Sequence, residues 1–326
     1  MLKTNAQCRI DKNGLKHTER FDDSGMIKLK EQIKKVHIVP VLVFVVIFTI
    51  TLLVSFFWLN RKESKTFPRD EQKQIVFLGD SNIAFRRNDT DIPELVGAEL
   101  SMTTYNCAFG GTTAARIDIW NRFDDYYERC CLYELTNMIL AQDMVPAKDR
   151  MDSILDKYET SLNKLNLLMD MDFSKVDYLV LSYGMNDYLL GLMADNPNDP
   201  LDDKSYAGAL RKSIEQFRKQ YPQMKIIISS ITYYQPLQGQ DINTLDFGGG
   251  TLYDFRDAAK QVASEYENVY FLDQLTLLAI DSDNCAELMS DAMHLNEISQ
   301  EMWAENAAEL IREIEAGENG KTGTNQ

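Results

Sequence analysis

Residues 75–81 read Ile75-Val76-Phe77-Leu78-Gly79-Asp80-Ser81. The four apolar residues predict a short strand buried on both faces, which is typical of a parallel sheet covered by helices. A glycine and two polar residues follow the run directly. Because open α/β sheets bind ligands at the carboxyl ends of their strands, this stretch predicts both the fold class and the place of the functional site.

Similar apolar runs recur along the chain and alternate with helical patterns. We predict strands at residues 74–78, 103–108, 177–181, 225–231 and 269–272, and helices that include residues 204–221, 252–265 and 297–315. Strands that alternate with helices form a parallel sheet with helices on both faces. The expected fold class is therefore α/β, with a mostly parallel five-stranded sheet.

The connection between the second and third predicted strands is too long for one crossover helix. We predict a helical insertion at about residues 115–175. An aromatic stripe at helical spacing indicates either core packing, the more common outcome, or a cover over the active site. The stripe consists of Trp120, Phe123, Tyr126, Tyr127 and Tyr133.

Only one histidine, His294, follows residue 37, and Asp291 precedes it by three residues. A serine hydroxyl is a poor nucleophile until a neighbouring base takes its proton, so Ser81 needs this imidazole. An aspartate at this spacing can hold the other ring nitrogen and stabilise the imidazolium as it forms. Ser81, Asp291 and His294 are therefore the candidate catalytic residues.

Four segments in this order resemble the SGNH (GDSL-type) hydrolase superfamily: Gly79-Asp80-Ser81, Asn106 to Gly111, Gly184-Met185-Asn186-Asp187 and Asp291-Ala292-Met293-His294. The resemblance implies a three-layer α/β/α, flavodoxin-like fold and esterase chemistry at Ser81, Asp291 and His294. It also implies an oxyanion hole formed by the backbone N–H groups of Ser81 and Gly111 and by the side-chain amide of Asn186. The chain departs from the family pattern at Ala292, where glycine is frequent, and at Leu295, where proline is common.

Several alternatives stay open for the polar residues of these segments. Gly110 competes with Gly111 for the oxyanion position, and either glycine is also compatible with an ordinary turn. Asn186 and Asp291 are also compatible with helix caps. We predict substrate contacts for four residues that flank the motifs or follow the fourth strand: Asp80, Asp187, Tyr233 and Tyr234.

The N-terminal region predicts a membrane anchor. From Ile38 to Leu59 there are 22 residues without a charge, enough to cross the roughly 30 Å hydrocarbon core of a bilayer at about 1.5 Å per residue. We predict a cytoplasmic basic tail at residues 1–37, the anchor at 38–59 and a linker at 60–73. The hydrolase domain then spans residues 74–316 on the outer side of the cell membrane, and residues 317–326 form a disordered tail.

The charge of the chain limits the class of partner. Of 34 basic and 50 acidic residues, 9 and 5 lie in residues 1–59, which leaves the remainder with a net charge of −20. Nucleic acid and other polyanions are repelled by such a domain, so a neutral ester substrate is expected. An equally open alternative is that the acidic charge serves only to keep the domain soluble. We predict no metal or other cofactor, because the domain has one histidine and no Cys-x-x-Cys pair. The pairing of its four cysteines stays open: Cys107, Cys130, Cys131 and Cys285.

These observations predict a membrane-anchored serine esterase acting on O-acyl, chiefly O-acetyl, groups of surface carbohydrate. Two other enzymes fit the same residues: an O-acyltransferase that passes the acyl group to a polysaccharide hydroxyl, and a lipid esterase. A fourth hypothesis, from a different class, is a catalytically silent carbohydrate-binding module. The complete set of Ser81, Asp291 and His294 counts against the last.

Overall fold

The sheet predicted from the apolar runs forms the centre of the structure, a computed structural model that describes residues 72–86, 90–117, 130–147 and 159–322. Its five strands are all parallel and lie in the order β2-β1-β3-β4-β5. This is the strand order of flavodoxin-like sheets. In chain order the strands are β1 (Gln74–Gly79), β2 (Thr103–Asn106), β3 (Tyr178–Ser182), β4 (Lys225–Ser229) and β5 (Val269–Leu272).

Helices cover both faces of the sheet. The helices of the described residues are α1 (Ser81–Ala84), α2 (Ile92–Leu100), α3 (Leu132–Ala141), α4 (Glu159–Asp170), α5 (Met185–Leu189), α6 (Tyr206–Gln220), α7 (Leu252–Ser264), α8 (Gln274–Leu277), α9 (Cys285–Leu288) and α10 (Glu297–Thr322). Helix α6 packs between α3 and α7, and α2 packs against α10. The predicted three-layer α/β/α arrangement is therefore confirmed.

Alternate side chains of each strand point to opposite faces, so each strand supplies both cores. From β1, Val76 and Leu78 join the core beneath α3, α6 and α7. Ile75 and Phe77 join the core beneath α2 and α10, where the Phe77 ring contacts Trp303. All four β1 residues are fully buried, which accounts for the uninterrupted apolar run in the sequence.

Several element ends differ from the sequence prediction: β4, for example, ends at Ser229 rather than at residue 231, and β2 and α10 differ as well. Strand β2 ends at Asn106 rather than at residue 108, although the Cys107 and Phe109 N–H groups still donate to Phe77 O and Gly79 O of β1. The Asn106 side chain also bonds the chain around it: its amide N–H donates to Ile83 O and its carbonyl accepts from Ala108 N–H. Helix α10 continues to Thr322, past the predicted end at residue 315 and into the segment predicted to be disordered. Glycine lowers helix propensity but keeps its backbone N–H, so the glycines of this segment do not by themselves end a helix.

Part of the predicted insertion belongs to the core. In α3 the side chains of Leu132, Leu135 and Ile139 are buried against the sheet layer. Tyr133 packs against the same core with the Lys212 ammonium over its ring, so the packing interpretation holds for this residue. The other four aromatic residues of the stripe lie outside the described residues.

The four cysteines of the domain are buried free thiols. Burial raises the pKa of Cys107 and of Cys131 to about 12. A thiol with such a pKa stays protonated at neutral pH and is inert as a nucleophile. These cysteines therefore behave as small apolar core residues.

The predicted anchor, from Ile38 to Leu59, lies outside the described residues. Within the described ranges, no helix combines the length and apolar character that a membrane crossing requires.

Candidate active site

Ser81 stands at the carboxyl end of β1, where the chain turns directly into the short helix α1. The Asp80 side chain caps α1 by accepting the Asn82 N–H at 3.0 Å. Gly79 makes the turn possible, because a Cβ at this position would lie 2.7 Å from Ser182 O on the neighbouring strand. Ser81 is the first residue of α1, at the edge of the sheet where ligands bind in open α/β folds.

The structure brings Ser81, His294 and Asp291 together across 213 positions of sequence. The Ser81 Oγ atom lies 2.8 Å from His294 Nε2, and His294 Nδ1 lies 2.6 Å from Asp291 Oδ2. Two consecutive hydrogen bonds therefore link the hydroxyl to the carboxylate through the imidazole.

The Asp291 carboxylate determines which nitrogen of the His294 ring carries the proton. Burial acts to raise its pKa, but bonds from the Met293 and His294 N–H groups and from the His294 ring outweigh burial and lower the pKa below its ordinary value. An ionised carboxylate only accepts hydrogen bonds, so the ring proton must sit on Nδ1. Nε2 is then left as the acceptor for the Ser81 hydroxyl, the arrangement that a general base requires.

Asn186 lies in α5, and the two glycines lie on the loop that follows β2. The Asn186 Nδ2 atom donates to Thr112 O at 2.9 Å, which ties α5 to the loop that contains Gly111. An amide has two N–H groups, so one remains for a substrate oxygen. Gly111 has φ of 79°, a left-handed conformation that favours glycine. A Cβ built on Gly110 would lie 3.7 Å from Ser81 Cβ, so Gly110 is beside the serine and stays a candidate for the oxyanion position together with its neighbour Gly111.

The predicted substrate contact of Asp187 is replaced by a supporting role. Its side chain is fully buried, and its two oxygens accept the Ala114 and Ala115 N–H groups at 3.0 and 2.9 Å. The carboxylate thereby holds the chain that follows Gly111. Asp80 is also buried and serves as the cap of α1, so neither aspartate presents a surface to a substrate.

The burial of these two carboxylates predicts a pH-dependent stability. Burial, reinforced by the nearby Asp187 charge, raises the pKa of Asp80 to about 7, and burial raises the pKa of Asp187 to about 6. Above a pH of about 4 the unfolded chain has released protons that the folded protein still holds. Stability therefore falls as the pH rises from about 4 to 7.

We expect Asp80→Asn to reduce this fall, because an amide does not ionise and so adds no buried charge as the pH rises. Between pH 5 and pH 8 the decline in Tm should be smaller than in the wild type by about 2–4 °C. Thermal unfolding followed by circular dichroism at both pH values measures it, with the exposed Asp283→Asn as the matched control. Equal declines in all three proteins would contradict the expectation.

The two tyrosines after β4 occupy different surroundings. Tyr233 is 5% exposed and lies at the back of a cleft of about 430 Å³ that also includes Tyr253, Ile242 and Ile280. Tyr234 packs edge-on against Tyr188 and Phe247. The segment of the two tyrosines is joined to residues 290–295, here called the histidine loop, by a 2.7 Å bond from Gln235 N–H to Ala292 O. The buried ring of Tyr233 is poorly placed for the predicted substrate contact, and of the two tyrosines only Tyr234 keeps a partly exposed ring.

Three residues near the site were not predicted from the sequence. Asn82 bonds the backbone on both sides of His294. Lys164, from α4 of the insertion, donates to Ala108 O at 2.7 Å. This bond supports the start of the loop that contains Gly110 and Gly111, here called the glycine loop. Phe85 is 43% exposed, and its ring centroid lies 5.8 Å from that of His294. Only the position of Asn82, directly after Ser81, offered a sequence signal.

Within the described ranges, no group of three or more His, Cys, Asp or Glu side chains is arranged to hold a metal ion.

Comparison with known proteins agrees with this geometry. The model of the GDSL-like Lipase/Acylhydrolase family matches residues 77–301, more than half of the chain. The chain belongs to this family. The enzyme is accordingly an SGNH-type ester hydrolase, and the matched segment contains Ser81, Asn186, Asp291 and His294.

Two solved structures are similar to the hydrolase, and the first of them shares its fold. A protein from Lactobacillus plantarum is 16% identical, with 74% of this chain and 97% of that chain covered and a TM-score of 0.51. The lipase/acylhydrolase from Enterococcus faecalis is 14% identical, with 73% of this chain and 95% of that chain covered and a TM-score of 0.41. A search of curated proteins finds no significant match.

Proposed function

We propose that the enzyme hydrolyses short O-acyl esters, chiefly O-acetyl esters of cell-surface carbohydrate, through an acyl-Ser81 intermediate. The observation that carries the reaction type is the pair of bonds from Ser81 Oγ to His294 Nε2 and from His294 Nδ1 to Asp291 Oδ2, at 2.8 and 2.6 Å. Ester chemistry follows from this pair and from the family. The acyl and alcohol groups are part of the proposal.

The reaction proceeds in two halves. His294 takes the Ser81 proton as Oγ attacks the ester carbonyl, and the negative oxygen of the tetrahedral intermediate accepts from backbone N–H groups and the Asn186 amide. The intermediate collapses, the alcohol leaves with the proton from His294, and the acyl group remains on Ser81. Water then attacks the acyl-serine by the same route, releasing the carboxylic acid and restoring the serine.

The surroundings of Ser81 support a short acyl group. A Cβ built on Gly110 would lie 3.0 Å from the Phe85 ring, so this ring and the glycine are in close contact beside the serine. The same ring contacts His294. We infer that Phe85 forms one wall of the acyl site and restricts its length. The net charge of −20 outside residues 1–59 further favours a neutral alcohol group over a polyanion.

The test is a hydrolysis series on the purified enzyme, with acetylated oligosaccharides and p-nitrophenyl esters of increasing chain length. Preference for acetyl esters supports the proposal, and preference for long chains favours the lipid esterase. Free acetate is measured against transferred acetate at rising oligosaccharide concentration. Dominant acetylation of the sugar would replace hydrolysis by acyl transfer.

We expect Phe85→Ala to shift the chain-length preference. Removing the Phe85 ring creates space for the methylene groups of a longer acyl chain. In an apolar pocket, one accommodated methylene group can change kcat/KM by about 10-fold or more. The ratio of kcat/KM for the octanoate ester to that for the acetate ester should rise about 10-fold. Leu277→Ala, which removes an exposed apolar side chain from α8, is the control. An unchanged ratio in Phe85→Ala would remove this residue from the acyl site.

We also propose that residues 38–59 anchor the enzyme in the cell membrane with the hydrolase domain outside. The support is the uncharged run and the excess of basic residues in the tail before it. Protease added to intact cells is expected to digest the domain and leave a membrane fragment that contains the anchor. Digestion only after lysis would place the domain inside.

A further inference from the structure

The side chain that follows Ser81 binds the chain on both sides of the histidine. The Asn82 Nδ2 atom donates to Met293 O at 3.2 Å, and its Oδ1 atom accepts from Leu295 N–H at 3.0 Å. Asn82 is 6% exposed, so water competes little for these bonds. One amide thus holds the residues immediately before and after His294.

Most other bonds of the histidine loop are local to it. Asp291 Oδ1 accepts from the Met293 and His294 N–H groups, and Ser290 N–H donates to His294 O. Such bonds shape the loop but do not set its distance from α1. The Gln235 N–H, from the segment after β4, donates to Ala292 O and is therefore a bond from outside the loop that does not involve α1.

The position of Asn82 in the chain gives its bonds a particular effect. Asn82 is covalently joined to Ser81, and its own N–H is held by the Asp80 carboxylate at 3.0 Å. The nucleophile and the two bonds that locate its base therefore belong to one helical turn. Movement of that turn carries Ser81 and the backbone around His294 together.

We propose that Asn82 is a positioning residue that sets the alignment of His294 Nε2 with Ser81 Oγ. The proposal rests on the function proposed above, in which His294 takes the serine proton. Asn82 acts through the histidine, because the bonds of its carbonyl oxygen and of one amide N–H join it to the backbone on both sides of His294 and its side chain is buried. Its contribution is to the reactivity of Ser81 and not to substrate affinity.

The expected effect follows from the geometry of proton transfer. A displacement of about 1 Å between reacting groups can lower a rate by about 10²-fold. We therefore expect Asn82→Ala to lower kcat for p-nitrophenyl acetate by about 10- to 100-fold, with KM changed less than about twofold. The second-order rate constant for labelling of Ser81 by a fluorophosphonate should fall by a similar factor, because labelling uses the same activated serine.

A second variant separates bonding from packing. Asn82→Leu keeps the branched heavy-atom skeleton of the side chain, with methyl groups in place of the amide oxygen and nitrogen, but has no hydrogen-bonding group, so it leaves no cavity and should show the same loss of labelling rate. Asn284→Ala is the matched control: the Asn284 amide makes the same pair of backbone bonds, to Ala279 O at 2.9 Å and from Asp281 N–H at 2.8 Å, in a loop without catalytic residues. We expect this control to label at the wild-type rate.

The readout that distinguishes positioning from general structural support is the hydrogen bond within the loop. In Asn82→Leu the downfield proton resonance of the His294–Asp291 bond should persist in the NMR spectrum, while labelling of Ser81 slows. That combination means an intact base that is misaligned with its nucleophile. Wild-type labelling rates in both Asn82 variants would overturn the proposal, and so would loss of the resonance together with labelling, since the histidine loop would then have collapsed.

Failure of the proposed function has a different signature. If the wild-type enzyme neither hydrolyses p-nitrophenyl acetate nor reacts with the fluorophosphonate, the serine mechanism itself is wrong. If the wild type does both and the Asn82 variants match it, only the role of Asn82 is wrong.

Discussion

We expect Ser81→Ala and His294→Ala each to lower kcat for p-nitrophenyl acetate by about 10⁴-fold or more, because the hydroxyl and its base act as one unit. The 2.8 Å contact between Oγ and Nε2 is the reason for treating them so. Removing either partner leaves the other without a function in the attack. The measurement is steady-state hydrolysis of the purified variants, with folding checked by thermal unfolding.

The double variant is the control for this interpretation. If the two residues act together, Ser81→Ala with His294→Ala should be no slower than either single variant, so the losses do not multiply. Asp291→Asn should also be severe, because an amide can turn its donor toward Nδ1 and favour the wrong tautomer. Substantial turnover by Ser81→Ala would end the mechanism.

The second large effect is expected at Asn186. Asn186→Ala should lower kcat by about 10²–10³-fold, the usual loss when one oxyanion donor is removed. The same variant loses the bond to Thr112 O, so a modest loss of stability, about 1 kcal/mol, is expected as well. The oxyanion role and the structural bond to Thr112 O can be distinguished, because loss of the oxyanion donor lowers kcat in protein that is still folded, whereas loss of the structural bond alone lowers only the stability.

A matched variant tests that separation. Asn196→Ala removes a comparable amide, which donates to Asp202 Oδ2 at 2.9 Å in the turn before α6. We expect it to lower Tm to a similar extent while kcat stays at the wild-type value. If Asn186→Ala also kept its kcat and lost only Tm, the side chain would be a structural tie between α5 and the glycine loop.

The strands were predictable from the sequence because burial on both faces leaves a continuous apolar run. Strand β4 illustrates this, with Ile226, Ile227 and Ile228 fully buried on alternate sides. The strand ends were less predictable, as at β2, where backbone bonds from Cys107 and Phe109 to β1 continue past the last residue of the regular strand. Periodicity carries no information about such bonds.

The site was predicted unevenly for a related reason. Motif order and the single histidine of the domain were enough to select Ser81, Asp291 and His294, which the fold brings together. Sequence did not separate a polar residue that faces substrate from one that faces backbone, so Asp187 was placed with the ligands although its oxygens hold Ala114 and Ala115. Asn82 was missed because its partners lie 211 and 213 positions away.

The distance in sequence between the serine and its histidine bears on how the enzyme is made. Strand β1 and Ser81 are synthesised before the histidine loop and α10, whose Trp303 contacts Phe77 of β1. Contacts of such high sequence separation form late, after a large entropic cost of loop closure. A nascent chain on the ribosome therefore carries a serine without its base. Activation of Ser81 by His294 therefore requires that the histidine loop has been synthesised and has docked beside α1.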